Sequence, residues 1–130
     1  MWILGITRSH NGAVALLHNG KVVCAIQAER LSRIKRKSIH VNRDKALVSQ
    51  CVEYCLQHAS IRHSDIHSIA ISTPYTFRNI ENKDLFDCIG GAPNDYEGTF
   101  YVPHHLAHME YILHYSNTLE HLRDCYFHPK

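Results

Sequence analysis

Two histidines near the C-terminus, His104 and His108, stand four residues apart within Pro103-His104-His105-Leu106-Ala107-His108. On a helix, residues at this spacing project about 40° apart at about 100° per residue, so both imidazoles point the same way. Two ligands need that spacing to reach one divalent metal. On the expected helix His104, His108, Tyr111 and Tyr115 share one face, while Leu106, Met109 and Leu113 share the opposite one. The histidines therefore lie away from the aliphatic stripe, which favours a functional over a packing role. A zincin-type protease is disfavoured, because His105 stands where a general-base Glu is required.

A second chemically pointed stretch is Arg30-Leu31-Ser32-Arg33-Ile34-Lys35-Arg36-Lys37, with five cations in eight positions. It reads either as a solvated basic loop or as an anion site, since Lys and Arg complement phosphate groups. No aromatics are interleaved, so nucleic-acid binding ranks below phosphate binding and is not expected. The chain has 12 histidines, most of them scattered, which add positive charge below about pH 6. Its five cysteines are odd in number and contain no C-x-x-C, so no disulfide framework is expected. Cys51 and Cys55, one helical turn apart, read as core thiols. No apolar stretch approaches a membrane span and no signal-peptide pattern is present, so a reducing, cytoplasmic setting is the expectation.

These residues need elements to position them, and 130 residues suffice for one modest domain with a real core. Trp2-Ile3-Leu4-Gly5-Ile6 reads as a buried strand, followed by a polar turn at residues 7–12 and a second apolar run at 13–17. Asn19-Gly20 between two strand patterns is the strongest short-range hairpin signal, with residues 21–27 as the return strand. A helix is expected to follow, N-capped by Asn42, with Asp44 at the positive end of its dipole. Its apolar stripe is Val48, Cys51, Val52, Cys55, Leu56 and Ala59, and it should cover a sheet. Residues 67–72 read as another strand. Residues 75–98 are an excursion with a helical turn at 84–89. Residues 99–102 restore a strand that runs through Pro103 into the histidine-rich helix.

The order is three antiparallel strands, a helix, a strand, an excursion, a strand and a helix. It predicts an α/β ribonuclease-H-like layer, the half domain repeated in actin-like phosphotransferase folds. In such a layer the first turn, carrying His10, and the strand ends near His104 and His108 line a cleft.

Several stretches resemble the carbamoyltransferase family of the NodU/CmcH type. Ile3-Leu4-Gly5-Ile6, Ser9-His10-Asn11-Gly12-Ala13-Val14-Ala15-Leu16-Leu17 and Asn19-Gly20-Lys21 look like its opening. Ala25-Ile26-Gln27-Ala28-Glu29-Arg30-Leu31-Ser32-Arg33-Ile34-Lys35 resembles its acidic-then-basic segment, and His104-His105-Leu106-Ala107-His108 its histidine motif. The resemblance covers residues 3 to about 116. Residues 1–116 are accordingly expected to be a partial N-terminal domain of this family, and 117–130 a divergent tail.

The resemblance implies an actin-like module of the TsaD type that binds a divalent metal, iron in some members. His104 and His108 would be metal ligands. His10 would activate an acceptor hydroxyl, and Lys35 would lie near the nucleotide phosphates, with Arg30, Asn11 and Gly12 as further substrate- or nucleotide-binding candidates. In the family, carbamoyl phosphate and ATP form carbamoyladenylate in a separate YrdC-like domain. The carbamoyl group then passes to a hydroxyl of a sugar-containing or antibiotic-like acceptor. Acyl transfer to an alcohol needs a base, which a loop histidine can supply, and polarisation of the oxygens by a metal or Lys.

There are departures from the family pattern. Asn11 and Gly12 stand where it often has an acidic residue or Ser, and Met109 stands where it has Ala; both changes read as mild. The aspartates that complete the family's metal site follow on later strands, and Asp124 lies in a segment unlike theirs, so it takes no metal role. The expectation is an N-terminal fragment, a truncated or degenerate copy or half of a split enzyme, inactive in carbamoyl transfer by itself and prone to self-association through exposed edges. Two other readings remain. One is a TsaD-like threonylcarbamoyl-transfer module, and the other a nonenzymatic regulatory subunit binding an acidic partner through residues 30–37.

Overall fold

The computed structural model describes residues 1–8, 11–73 and 80–103. The expected histidine-rich helix, with His104 and His108, lies outside the described residues, as does His10. Strands β1 (Trp2–Thr7), β2 (Ala13–His18) and β3 (Lys21–Gln27) form the antiparallel meander. A short helix α1 (Ala28–Ser32) follows, then the long helix α2 (Lys45–Ala59). Strand β4 (Ser68–Thr73), helix α3 (Asn82–Ile89) and strand β5 (Gly98–Pro103) complete the described chain. The sheet order is β3-β2-β1-β4-β5, with β4 parallel to β1 and β5 parallel to β4. The mixed α/β layer expected from the sequence is thus present.

Local chemistry accounts for these elements. Asn19 (φ 50°) and Gly20 (φ 82°) both adopt the positive φ that a type I′ hairpin demands. Asn19 also accepts a 2.7 Å hydrogen bond from the N-terminal ammonium, closing the end of β1 onto the turn. Alternation along β1 and β2 sends Leu4, Ile6, Val14 and Leu16 to one face, where all four are buried. Helix α2 covers that face with Val48, Cys51, Val52, Cys55 and Leu56, the stripe expected from its periodicity. Ile69 and Ile71 extend the same core through β4.

The start of α2 and the extent of α3 differ from the sequence reading. Asp44, not Asn42, occupies the N-cap position of α2, and its carboxylate is turned back to accept from the His40 backbone N–H at 3.0 Å. The helical turn expected at 84–89 is a complete eight-residue helix, amphipathic enough to bury Leu85, Cys88 and Ile89, and Gly90 at φ 98° ends it. Ile39 and Val41, which follow the basic run, are fully buried core residues.

Candidate functional site

Parallel pairing brings the ends of three strands to one edge of the sheet. Thr7 of β1 lies opposite Ser72 of β4, Ser72 lies opposite Val102 of β5, and the start of β2 at Ala13 lies opposite Thr7. The Asn11-Gly12 turn leads into β2 at this edge, and Pro103, one peptide bond before His104, ends β5 there.

The basic segment is folded against that turn. The Gly12 N–H donates to the Lys37 carbonyl at 2.9 Å, and the Gly12 carbonyl accepts from Ala28 N–H, the first residue of α1, at 2.8 Å. A Cβ on Gly12 would stand 2.7 Å from Ile39 Cγ1, 2.9 Å from Ile39 N and 3.0 Å from the Lys37 carbonyl oxygen, so glycine is required by close approach. Glu29 holds the segment's start, accepting the Arg36 N–H at 3.1 Å through Oε2 and the Arg33 N–H at 2.9 Å through its carbonyl. Arg33 (φ 61°) and Arg36 (φ 56°) take the left-handed conformation to make these turns. Beyond them the Lys37 ammonium pairs with Asp44 at 3.5 Å, and Ile39 and Val41 anchor the chain in the core. The segment therefore has a defined path, with its backbone tied down and the side chains of Arg30, Arg33, Lys35 and Arg36 exposed.

Of the residues proposed from sequence, Asn11, Gly12 and the backbone around Lys35 come together here. Asn11 is exposed at φ 66°, and Gly12 is buried beneath the basic segment. Arg30 instead lines a separate shallow cavity with Gln27, Leu31 and Tyr54 beside the edge strand β3. Cys51 and Cys55 are buried core thiols, as expected. Among the described residues, no group of three or more His, Cys, Asp or Glu side chains is arranged to hold a metal ion.

Sequence reasoning missed the group at the mouth of this edge. A cavity of about 520 Å³ is lined by Arg8, His40, Asn42 and Arg43 together with Ile80, Glu81 and Asp84. Arg8 follows directly on β1, and its Nε is buried without a hydrogen-bond partner among the described residues. Burial holds the His40 imidazole below its ordinary 6.5, and the Arg43 and Arg8 guanidiniums push it the same way against the opposing pull of Asp44. The Asp84 carboxylate is engaged by the Lys45 ammonium at 2.8 Å, which also reaches Asp87 at 3.2 Å. Arg8 and His40 are 32 positions apart, so no local pattern joins them.

Comparison with known proteins identifies the lineage. Residues 2–121 match the family described as "Carbamoyltransferase N-terminus", nearly the whole chain. The chain belongs to this family. It is also 38% identical over 73 residues to the nodulation protein NolNO of Sinorhizobium fredii, an overlap of 56% of this chain and 10% of that protein. A 19.2 kDa protein encoded in the syrM 5′ region of Rhizobium etli is 39% identical over 61 residues, covering 47% of this chain and 32% of that protein. The chain thus spans well under half the length of either curated relative it matches. In this carbamoyltransferase N-terminal chain, the turn at Asn11-Gly12 and the 30–37 segment, two of the stretches that carried the resemblance, pack directly on each other. No helix among the described residues is long and apolar enough to cross a membrane.

Proposed function

We propose that this chain is the acceptor-side module of an O-carbamoyltransferase, in which a carbamoyl group carried as carbamoyladenylate passes to a hydroxyl of a sugar-containing or antibiotic-like acceptor. The single observation that carries the reading is the family match across residues 2–121. The fold supports it, because a five-stranded layer in the order β3-β2-β1-β4-β5 is the half domain expected of an actin-like transferase. In this reading the sheet edge at Thr7, Ser72 and Val102 is the cleft wall. Strands β1 and β5 are separated by β4 alone, about 10 Å at two inter-strand spacings.

His10 is assigned as the base that takes the acceptor hydroxyl proton, a suitable role for an imidazole near neutral pH. Lys35 and its basic neighbours attract the nucleotide phosphates. The imidazoles of His104 and His108 suit a divalent transition metal, which would polarise an oxygen of the carbamoyl donor. Carboxylates to complete such a site are not found as a cluster among the described residues, and two imidazoles alone hold a metal weakly. We assign the remaining ligands and the formation of carbamoyladenylate to protein beyond this chain.

The test titrates Zn(II) into the full chain and follows binding by calorimetry, which reads weak affinities. Wild type binds in the weak range expected of two imidazoles, and His104→Ala and His108→Ala each bind more weakly still. Equal affinity in all three removes the metal role. Adding a separately prepared carbamoyladenylate-forming domain, carbamoyl phosphate, ATP and a polyol acceptor then tests transfer, which His10→Ala abolishes if the assignment of the base is right.

A further inference from the structure

We propose that Arg8, His40 and Arg43 form a binding site for a phosphate-bearing anion, separate from the exposed cations of residues 30–37. The cavity they wall, about 520 Å³, has room for a phosphate ester rather than a bare ion. Arg8 offers it a buried Nε–H that nothing among the described residues accepts, and an unsatisfied buried donor is costly unless a ligand takes the bond. Arg43 brings a second guanidinium, and two such forks match the oxygens of a phosphate group.

The acidic residues that line the cavity are paired or exposed: Asp84 shares the Lys45 ammonium, at 2.8 Å, with Asp87 at 3.2 Å, and Glu81 is exposed to solvent. Asp44, beneath His40, is occupied by Lys37 at 3.5 Å and by the His40 backbone N–H at 3.0 Å. Burial is the main cause that holds the His40 titration below its ordinary 6.5, and the Arg43 and Arg8 guanidiniums add to it against Asp44. His40 is therefore a neutral imidazole at pH 7, able to accept from or donate to a bound hydroxyl or phosphate. Ile80 adds an apolar wall against which the organic part of an ester can rest.

The site needs no carbamoyl chemistry and stands whether or not the chain takes part in such transfer. Its ligand is a free phosphate or the phosphates of a nucleotide, and two probes separate these sources. Inorganic phosphate and ATP are titrated at pH 7.5 into the full chain while the side-chain NMR signals of His40 are followed. Binding in either arm with displacement of the His40 signals is expected, tighter for ATP if the nucleotide is the ligand and equal if only the phosphate is read. Arg43→Gln, at an exposed position, should weaken binding about tenfold, as should Arg8→Gln, while Lys21→Gln at the distant hairpin leaves it unchanged. Thermal melting confirms that each variant is folded. No response of His40 to either probe, or equal affinity in wild type and Arg43→Gln, overturns the proposal.

Discussion

Replacing Gly12 with Ala tests whether the first turn and the basic segment act as one unit. The new Cβ would meet Ile39 Cγ1 at 2.7 Å, Ile39 N at 2.9 Å and the Lys37 carbonyl oxygen at 3.0 Å. Two of these are main-chain atoms, so no change of rotamer relieves them; residues 37–39 must move off β2. Overpacking of this kind costs about 1–3 kcal/mol. Losing the 2.9 Å bond from Gly12 N–H to the Lys37 carbonyl adds about 1 kcal/mol. The sum, about 2–4 kcal/mol, is a large part of the roughly 5–15 kcal/mol that holds a domain together. At about 3–5 °C per kcal/mol for a chain of this size, the melting temperature should fall by about 10 °C. Gly20→Ala is the control: its φ is +82° but nothing lies within 4 Å, so it carries only the left-handed backbone cost of about 1–2 kcal/mol. Circular-dichroism melts and urea titrations of the two variants decide the matter. Should Gly12→Ala prove no more damaging than Gly20→Ala, the packing of the basic segment on the turn is wrong.

Two further outcomes are expected. His40 has a folded-state pKa below its ordinary 6.5, so its contribution to stability is complete above that value and is lost as pH falls through 6.5 toward the lower folded value. The urea midpoint of wild type should therefore drop more between pH 7.5 and pH 5 than that of His40→Gln; parallel drops would contradict the burial of the imidazole. The thiols of Cys24, Cys51, Cys55 and Cys88 are buried, with Cys55 pushed up to about 12 by burial and its Cys24 neighbour, and Cys88 pushed up to about 11 by burial. Alkylation at pH 8 followed by peptide mapping should leave all four unmodified until denaturant is added, and rapid labelling of any one in the native protein would show that its core is open.

Much of the fold was legible because its signals are local. Asn19-Gly20 specifies a turn that few other dipeptides can make, and the stripe from Val48 to Leu56 specifies a helix with one buried face. The start of α2 was misread because Asp44 and Asn42 are equally good caps on paper. Which one sits at the boundary depends on the loop ahead of it, where Asp44 is also bound to His40 and Lys37. The eight-residue helix α3 was reduced to a turn because its flanks are rich in Gly, Pro and Asn. Only its packing against α2 shows that Leu85, Cys88 and Ile89 form a face.

The candidate site divides along the same line. By itself the sequence determined the family-bearing motifs, the i,i+4 histidine pair and the density of cations at residues 30–37, because residue type and spacing are enough to state them. The tertiary structure decided that Gly12 is no mild departure: the crossing of residues 37–39 leaves no room there for a side chain. It also decided that Arg8, His40 and Arg43 share a cavity. These residues come from a strand end and a distant loop, and only the pairing of β1 with β2 and the anchoring of Ile39 and Val41 in the core bring them together. Spacing along the chain carries information only within one element; between elements, proximity is set by packing.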